Sequence, residues 1–94
     1  MKTSELFIYG EVGLYGISAR EFVQSTLAAI PKDSHIKLCI NSIGGDVFDG
    51  MAIYNALVLH PAGVTTVVDG LAASIGSLIA MAGKTIIMPE KLSS

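Results

Sequence analysis

Apolar and polar positions change their period along the chain in a way that is typical of strands and helices following one another. Short apolar or β-branched runs predict four strands, at residues 6–9, 36–40, 64–68 and 85–88. The segments between them predict three helices, at residues 18–30, 47–59 and 72–82. Strands that alternate with helices favour an α/β fold, in which helices pack on a parallel sheet.

The first two helices carry clear local signals. Ser18 and Glu21 stand at the spacing of a capping box, and Pro31 ends the helix that follows. In the second helix, apolar residues recur at helical spacing; they are Val47, Met51, Tyr54 and Val58. The third helix is indicated by small apolar residues at 72–82, bounded by Gly70 and Gly83.

Composition indicates one domain that needs a further surface to cover it. The chain has 94 residues, of which 51% are hydrophobic and 15% are charged, and its mean hydropathy is +0.61. A chain of this length has room for a single domain, residues 1–94, and is too apolar to be disordered. Because so small a domain hides only about 60 to 65% of its unfolded surface, we expect an oligomer or a piece of a larger fold.

Charge and targeting signals exclude several classes of partner. Six Lys and Arg residues stand against eight Asp and Glu residues, so no basic stripe for nucleic acid is present. The most apolar stretch, residues 70–83, is shorter than the roughly 20 residues that span a bilayer, and we expect a buried helix there. No signal peptide is evident, and the single Cys39 is expected to be a small buried side chain. We therefore expect a cytoplasmic protein without membrane or nucleic-acid partners.

Two loops at the carboxyl ends of predicted strands carry the candidate chemistry, because ligands of open α/β sheets bind there. In the first, residues 41–46, the amides of Gly44 and Gly45 can approach a ligand, although a tight turn is the simpler interpretation. In the second, residues 69–76, Ser74 stands among small residues at a strand-to-helix junction, as in a nucleophile elbow. The amide of Ile75 would then donate to an oxyanion, whereas a helix N-cap is the simpler role for Ser74.

Taken together, these loops belong to a set of ordered motifs. They read I-N-S-I-G-G-D at 40–46, D-G-M-A-I-Y at 49–54, G-L-A-A-S-I-G at 70–76 and A-G at 82–83. The set resembles the Clp protease proteolytic-subunit family, and most closely its phage and prophage branch of head-maturation proteases. The resemblance covers nearly the whole chain. It implies an α/β fold of repeated β-β-α units, shared with the crotonase group, of which this chain would be an N-terminal portion.

The resemblance also implies a serine endopeptidase site. Ser74 matches the nucleophile, and the backbone amides of Gly45 and Ile75 match the two oxyanion-hole donors. The edge that pairs with an extended peptide substrate matches Gly44, Gly45, Asp46, Val47 and Phe48. The family's catalytic histidine and aspartate fall beyond residue 94, so we expect this single domain to lack the C-terminal part that completes the triad.

Partners follow from the resemblance as well. Members assemble as rings of identical subunits, cleave peptides or proteins, and in some cases work with an unfoldase ATPase. The phage branch implies capsid or scaffold protein as the substrate. No cofactor or metal is expected, because a helix cap and a first-turn acid explain Asp46 and Asp49.

Two other functions stay open. Without the family's base, the chain could be a catalytically inert remnant or an assembly domain; His35 and His60 do not match that base and are expected to cap a helix end or face solvent. The crotonase group also uses paired amides, so acyl-coenzyme A binding is a further hypothesis. The chain departs from the family at Ile43, where proline is common, and at Ser77, where a small or apolar residue is usual.

Overall fold

The computed structural model describes residues 2–88 and shows one parallel sheet. The strands are β1 (Thr3–Tyr9), β2 (His35–Ser42), β3 (Val64–Ala72) and β4 (Thr85–Ile87). They lie side by side in the order β1-β2-β3-β4, and each neighbouring pair is parallel. The predicted α/β fold is confirmed. Strands β1 and β2 are longer than the apolar runs that predicted them, because ladder pairing also includes their polar ends.

The helices connect successive strands. They are α1 (Ala19–Glu21), which continues as a π-helical turn (Phe22–Thr26) and a 3₁₀ turn (Leu27–Ala29), then α2 (Val47–Val58) and α3 (Ile75–Ala80). The predicted start at Ser18 is confirmed, since its hydroxyl accepts a hydrogen bond of 3.1 Å from the Glu21 amide. The predicted helix over residues 18–30 is present as consecutive helical turns from Ala19 to Ala29, but only its first turn is α-helical. Aromatic and β-branched residues lower the α-helix propensity of this segment.

The hydrophobic core lies between the sheet and the helices. It joins alternate strand residues to one side of each helix and includes Ile8, Leu38, Ile40, Val68, Phe22, Ile53, Leu57 and Ile79. Right-handed crossovers in a sequential strand order place all helices on the same face. The molecule is therefore two layers thick, 16 Å in its shortest dimension. Within residues 2–88 no helix covers the opposite face of the sheet, where Phe7 and Tyr9 are half-exposed.

Strand β3 runs further than the sequence indicates. We expected it to end at residues 69–70 and a helix to span 72–82, but the strand continues to Ala72 and α3 covers only Ile75–Ala80. The register shifts where β2 passes from Ile40 to Ser42, so extra β3 residues bulge outward before pairing resumes at Ala72. The Asn41 side chain holds the bulge by accepting from the Leu71 amide at 3.2 Å. Because this partner is distant in sequence, the local pattern suggests only a strand end.

Helix α2 is confirmed, but it faces the core with other residues than those that predicted it. The buried positions are Gly50, Ile53 and Leu57. The stripe that indicated the helix points outward: Val47 is 53% exposed, Met51 46% and Val58 53%. A helix that is apolar on two sides can pack one side on the core and the other against a further protein surface. This agrees with the expectation from composition that the chain is part of an oligomer or of a larger fold.

Candidate active site

Ser74 has an unusual backbone conformation at the junction of β3 and α3. Its φ is 53° and its ψ is −126°, and it is the one non-glycine residue of the described chain with positive φ. Its side chain is exposed and accepts no capping hydrogen bond, so the simpler interpretation as an N-cap side chain does not hold. Such a conformation costs roughly 1–3 kcal/mol and persists where surrounding structure enforces it, as in a nucleophile elbow.

The glycine loop after β2 lies directly against this elbow. Gly44 has φ +101°, and a Cβ atom placed on it would stand 2.8 Å from the Ser74 Cβ, 2.8 Å from the Ala73 oxygen and 3.3 Å from the Ile75 nitrogen. These distances are shorter than van der Waals contact, so only glycine fits here. The structure thus brings together the two loops that the sequence marked separately.

Gly45 is held from its other side by Val12, a residue that sequence analysis did not single out. The Val12 amide donates to the Gly44 oxygen at 2.9 Å, and the Asp46 amide donates to the Val12 oxygen at 2.7 Å. In this parallel bridge the N–H and C=O of Gly45 itself point away from Val12. A Cβ on Gly45 would lie 1.9 Å from the Val12 oxygen, which excludes any side chain. The sequence offers no local signal for this contact.

In the described part of the chain, each of these two loops has a backbone amide without an acceptor. Within residues 2–88, neither the Gly45 amide nor the Ile75 amide donates a hydrogen bond to the protein. Gly45 comes from the end of the β2 loop, and Ile75 follows the serine, so the donors sit on separate elements that are each fixed by packing. Two such amides next to a hydroxyl are the arrangement that stabilises an oxyanion in acyl transfer.

Ser42 joins the two loops and was also missed from sequence. It is 2% exposed; its hydroxyl accepts from the Gly44 amide at 3.0 Å, and its carbonyl accepts from the Ala73 amide at 3.1 Å. One residue therefore fixes both the glycine loop and the residue before Ser74. Its only sequence signal is its place inside the N-S-I-G-G motif.

The residues predicted to form a peptide-binding edge differ in which of their main-chain groups are already hydrogen-bonded. The Asp46 amide donates to the Val12 oxygen, and the Asp46 carbonyl accepts from the Gly50 amide. The Asp46 carboxylate caps α2 by accepting from the Asp49 amide at 2.9 Å. Val47 and Phe48 belong to the first turn of α2 and can reach a peptide only through their exposed side chains. Of these residues, Gly45 has an N–H and a C=O that both point away from Val12 and make no hydrogen bond within the described residues.

Neither histidine is close to Ser74. His35 Nδ1 lies 2.9 Å from the Ala62 oxygen and its Nε2 lies 2.8 Å from the Thr65 hydroxyl, while His60 Nε2 lies 2.6 Å from the Ser34 oxygen. The expectation that they cap a helix end or face solvent is wrong, since both are part-buried and tie loops together at the amino ends of the strands. Ser74 follows a carboxyl end, and β2 alone is eight residues long, which separates its two ends by about 23 Å.

Two other ionisable groups, Cys39 and Tyr9, have raised pKa values. Cys39 is buried, as expected, and burial raises the pKa of its thiol. On the open face of the sheet the Tyr9 hydroxyl donates to the Asp69 carboxylate, and this hydrogen bond raises the pKa of Tyr9 to about 12. Among residues 2–88, no three His, Cys, Asp or Glu side chains gather as metal ligands would. In the same part of the chain, no helix has the length and apolar character needed to cross a membrane.

Comparison with curated proteins extends this picture. A family model described as Clp protease matches residues 1–90. The chain is 38% identical over 87 residues to an uncharacterized protein of Methanocaldococcus jannaschii, with 84% of this chain and 30% of that protein covered. It is 46% identical over 57 residues to ATP-dependent Clp protease proteolytic subunit 1 of Mycobacterium tuberculosis, with 61% of this chain and 28% of that protein covered.

Solved structures show the same likeness. The chain matches ClpP1 from Listeria monocytogenes with a TM-score of 0.72 and 31% identity, over 84% of this chain and 46% of that one. It matches the ClpP protease catalytic domain from Plasmodium falciparum with a TM-score of 0.72 and 25% identity, over 88% of this chain and 53% of that one. The predicted Clp-type α/β fold is thereby confirmed. The chain spans about half the length of these solved chains and about 30% of the curated relatives.

Proposed function

The chain belongs to the Clp protease family, and from that premise we propose that it carries the nucleophile and oxyanion hole of a serine endopeptidase. The observation that supports this most is the positive φ of Ser74 beside the two free amides of Gly45 and Ile75. The strained conformation of Ser74 gives its side chain neither a hydrogen bond nor burial that would stabilise the fold. Its hydroxyl is, however, well presented to a substrate carbonyl.

In the proposed reaction the Ser74 oxygen attacks the scissile peptide carbonyl. The carbonyl oxygen becomes an oxyanion and accepts hydrogen bonds from the Gly45 and Ile75 amides. The Ser74 proton passes to a base and then to the leaving amine, which departs as the acyl-enzyme forms; water later releases the acyl group. We propose that residues 1–94 form part of one Clp-type domain, and that the family's histidine and aspartate, which match no residue here, supply the base.

The proposed substrate is an extended peptide that pairs with the main-chain carbonyl of Gly45, since the Gly45 N–H is the proposed oxyanion donor. Exposed Val47 and Phe48 at the start of α2 are placed to contact its side chains. The phage and prophage type rests on the sequence G-G-D-V-F-D-G at 44–50 and V-D-G-L-A-A-S at 68–74, and it would make capsid or scaffold protein the substrate. A ring of identical subunits is supported by the outward apolar stripe of α2, and an unfoldase ATPase is a further proposed partner. The cytoplasm is the proposed location, in line with the free thiol of Cys39.

One alternative has an observation in its favour. Within residues 2–88, no imidazole lies near Ser74, and a serine without a base is a weak nucleophile. An inert remnant or assembly domain of the same fold would show this arrangement. It differs from the protease in one measurable property, the reactivity of Ser74.

A serine-reactive fluorophosphonate separates the two functions. The purified chain is treated with the reagent, and intact mass and peptide mapping report the adduct. We expect an adduct on Ser74 once a base reaches it, from a longer chain or a neighbouring subunit, and we expect this adduct to be lost in Ser74→Ala and kept in Ser25→Ala, an exposed serine outside the site. A chain that stays unlabelled while a longer relative is labelled in parallel would support the inert alternative.

A further inference from the structure

The carbonyl group of Ser74 accepts two hydrogen bonds from the same residue. The Ser77 amide donates to it at 3.0 Å, and the Ser77 hydroxyl donates to it at 2.6 Å. The hydrogen bond from the Ser77 amide belongs to the first turn of α3, and any residue except proline at position 77 could donate it. The hydroxyl bond depends on serine at position 77, one of the two positions where the chain departs from the pattern of the family it resembles.

The geometry of the peptide group links this carbonyl to the oxyanion hole. The C=O of Ser74 and the N–H of Ile75 belong to one planar trans peptide unit, so they point in opposite directions. Fixing the carbonyl therefore fixes the direction of the Ile75 N–H. A hydrogen bond accepted at the oxygen also polarises the unit, which makes its N–H a stronger donor.

We propose that Ser77 is a positioning residue, whose hydroxyl orients and polarises the peptide between Ser74 and Ile75 for its part in the oxyanion hole. This inference rests on the proposed function, since it deepens the role of the Ile75 amide. Serine hydroxyls in helices often bond a carbonyl in the preceding turn. Here that carbonyl belongs to the strained residue itself, whose unusual ψ of −126° sets the orientation of the following amide.

The orienting bond is independent of any ligand, so it can be tested on the chain alone. We would record amide nitrogen and proton resonances of the labelled protein for three variants: Ser77→Ala, Ser77→Thr and Ser25→Ala. Threonine keeps the hydroxyl, which can bond the carbonyl one turn back. We expect the Ile75 resonance to move in Ser77→Ala and to stay close to its original position in Ser77→Thr and in the exposed-helix control Ser25→Ala.

Reactivity provides the functional readout. Saturation kinetics with the fluorophosphonate separate initial binding of the reagent from bond formation at Ser74. We expect Ser77→Ala to slow bond formation about 3- to 10-fold, the range of one neutral hydrogen bond, with initial binding unchanged. Ser77→Thr should recover most of the rate, because an orienting hydroxyl is restored.

The outcomes separate this inference from the proposed function. A parent chain that stays unlabelled while a longer relative is labelled would argue against the proposed function, while the Ile75 resonances would still decide the role of Ser77. An Ile75 resonance that is the same in Ser77→Ala as in the parent would overturn the inference. So would a threonine variant that behaves like the alanine variant, because the effect would then not come from the hydroxyl.

Discussion

Gly44 and Gly10 provide a matched pair for testing whether the glycine loop shapes the elbow. Both follow a strand, and their φ angles are nearly equal, +101° and +105°. A Cβ on Gly10 would meet nothing within 4 Å, whereas one on Gly44 would stand 2.8 Å from the Ser74 Cβ. Substituting each by alanine therefore imposes a similar backbone strain, and only Gly44→Ala adds a collision with the site.

The magnitudes follow from these distances. An alanine at such a φ costs roughly 1–3 kcal/mol, so both variants should lose about that much unfolding free energy. The contact at Gly44 is about 1 Å shorter than a comfortable carbon–carbon separation of 3.5–4.0 Å. Relieving it by moving the loop or the elbow should cost Gly44→Ala a further 1–3 kcal/mol or so. A displacement of about 1 Å at a reacting group can lower its reactivity about 100-fold.

Two assays read these effects. Urea denaturation of both variants gives the loss of unfolding free energy, and the fluorophosphonate rate gives the reactivity of Ser74. We expect Gly44→Ala to be the less stable variant and to react about 100-fold more slowly than the parent, while Gly10→Ala keeps the parent rate. Equal stabilities and equal labelling rates for the two variants would refute the inference that the Gly44 backbone touches the elbow.

Two further predictions concern single residues. Ser74→Gly should be more stable than Ser74→Ala by about 1 kcal/mol in urea denaturation, because glycine tolerates the positive φ that alanine does not; equal stabilities would contradict the strain. For Tyr9 the pKa is raised from 10.0 to about 12 by its hydrogen bond to Asp69, so the bond stabilises the fold below pH 10 and this stabilisation is lost as the pH rises towards 12. The difference in urea midpoint between the parent and Tyr9→Phe should therefore shrink over that range, and a constant difference would count against the bond.

Much of the candidate site could be predicted from residue types in order. Ser74 among small residues and the pair Gly44 and Gly45 are local features, and their order along the chain is specific enough to identify the family. Their conformations were not predictable in the same way. The simpler roles, an N-cap and a tight turn, fit the same residues, and only the φ of Ser74 and the contact of Gly44 with it favour the proposed active-site arrangement.

The residues missed from sequence are those that act across the fold. Val12 bridges to Gly45 from the loop after β1, and Ser42 ties the glycine loop to the residue before the elbow. Each makes its contact through a backbone group or one hydroxyl. Val12 and Ser42 are not part of a periodic pattern, so the order of hydrophobic and polar positions does not identify them.

The sequence by itself determined the order of strands and helices, the start of α1 at Ser18 and the small-residue motif around Ser74, because these depend on neighbouring residues. The tertiary structure decided where β3 ends, which side of α2 faces the core and how the two loops meet. These features depend on pairing between distant segments: the β3 bulge needs Asn41, and Gly44 meets Ser74 only when β2 and β3 lie side by side. Local propensity cannot predict such contacts, because they stabilise the fold only after distant segments have paired in the sheet.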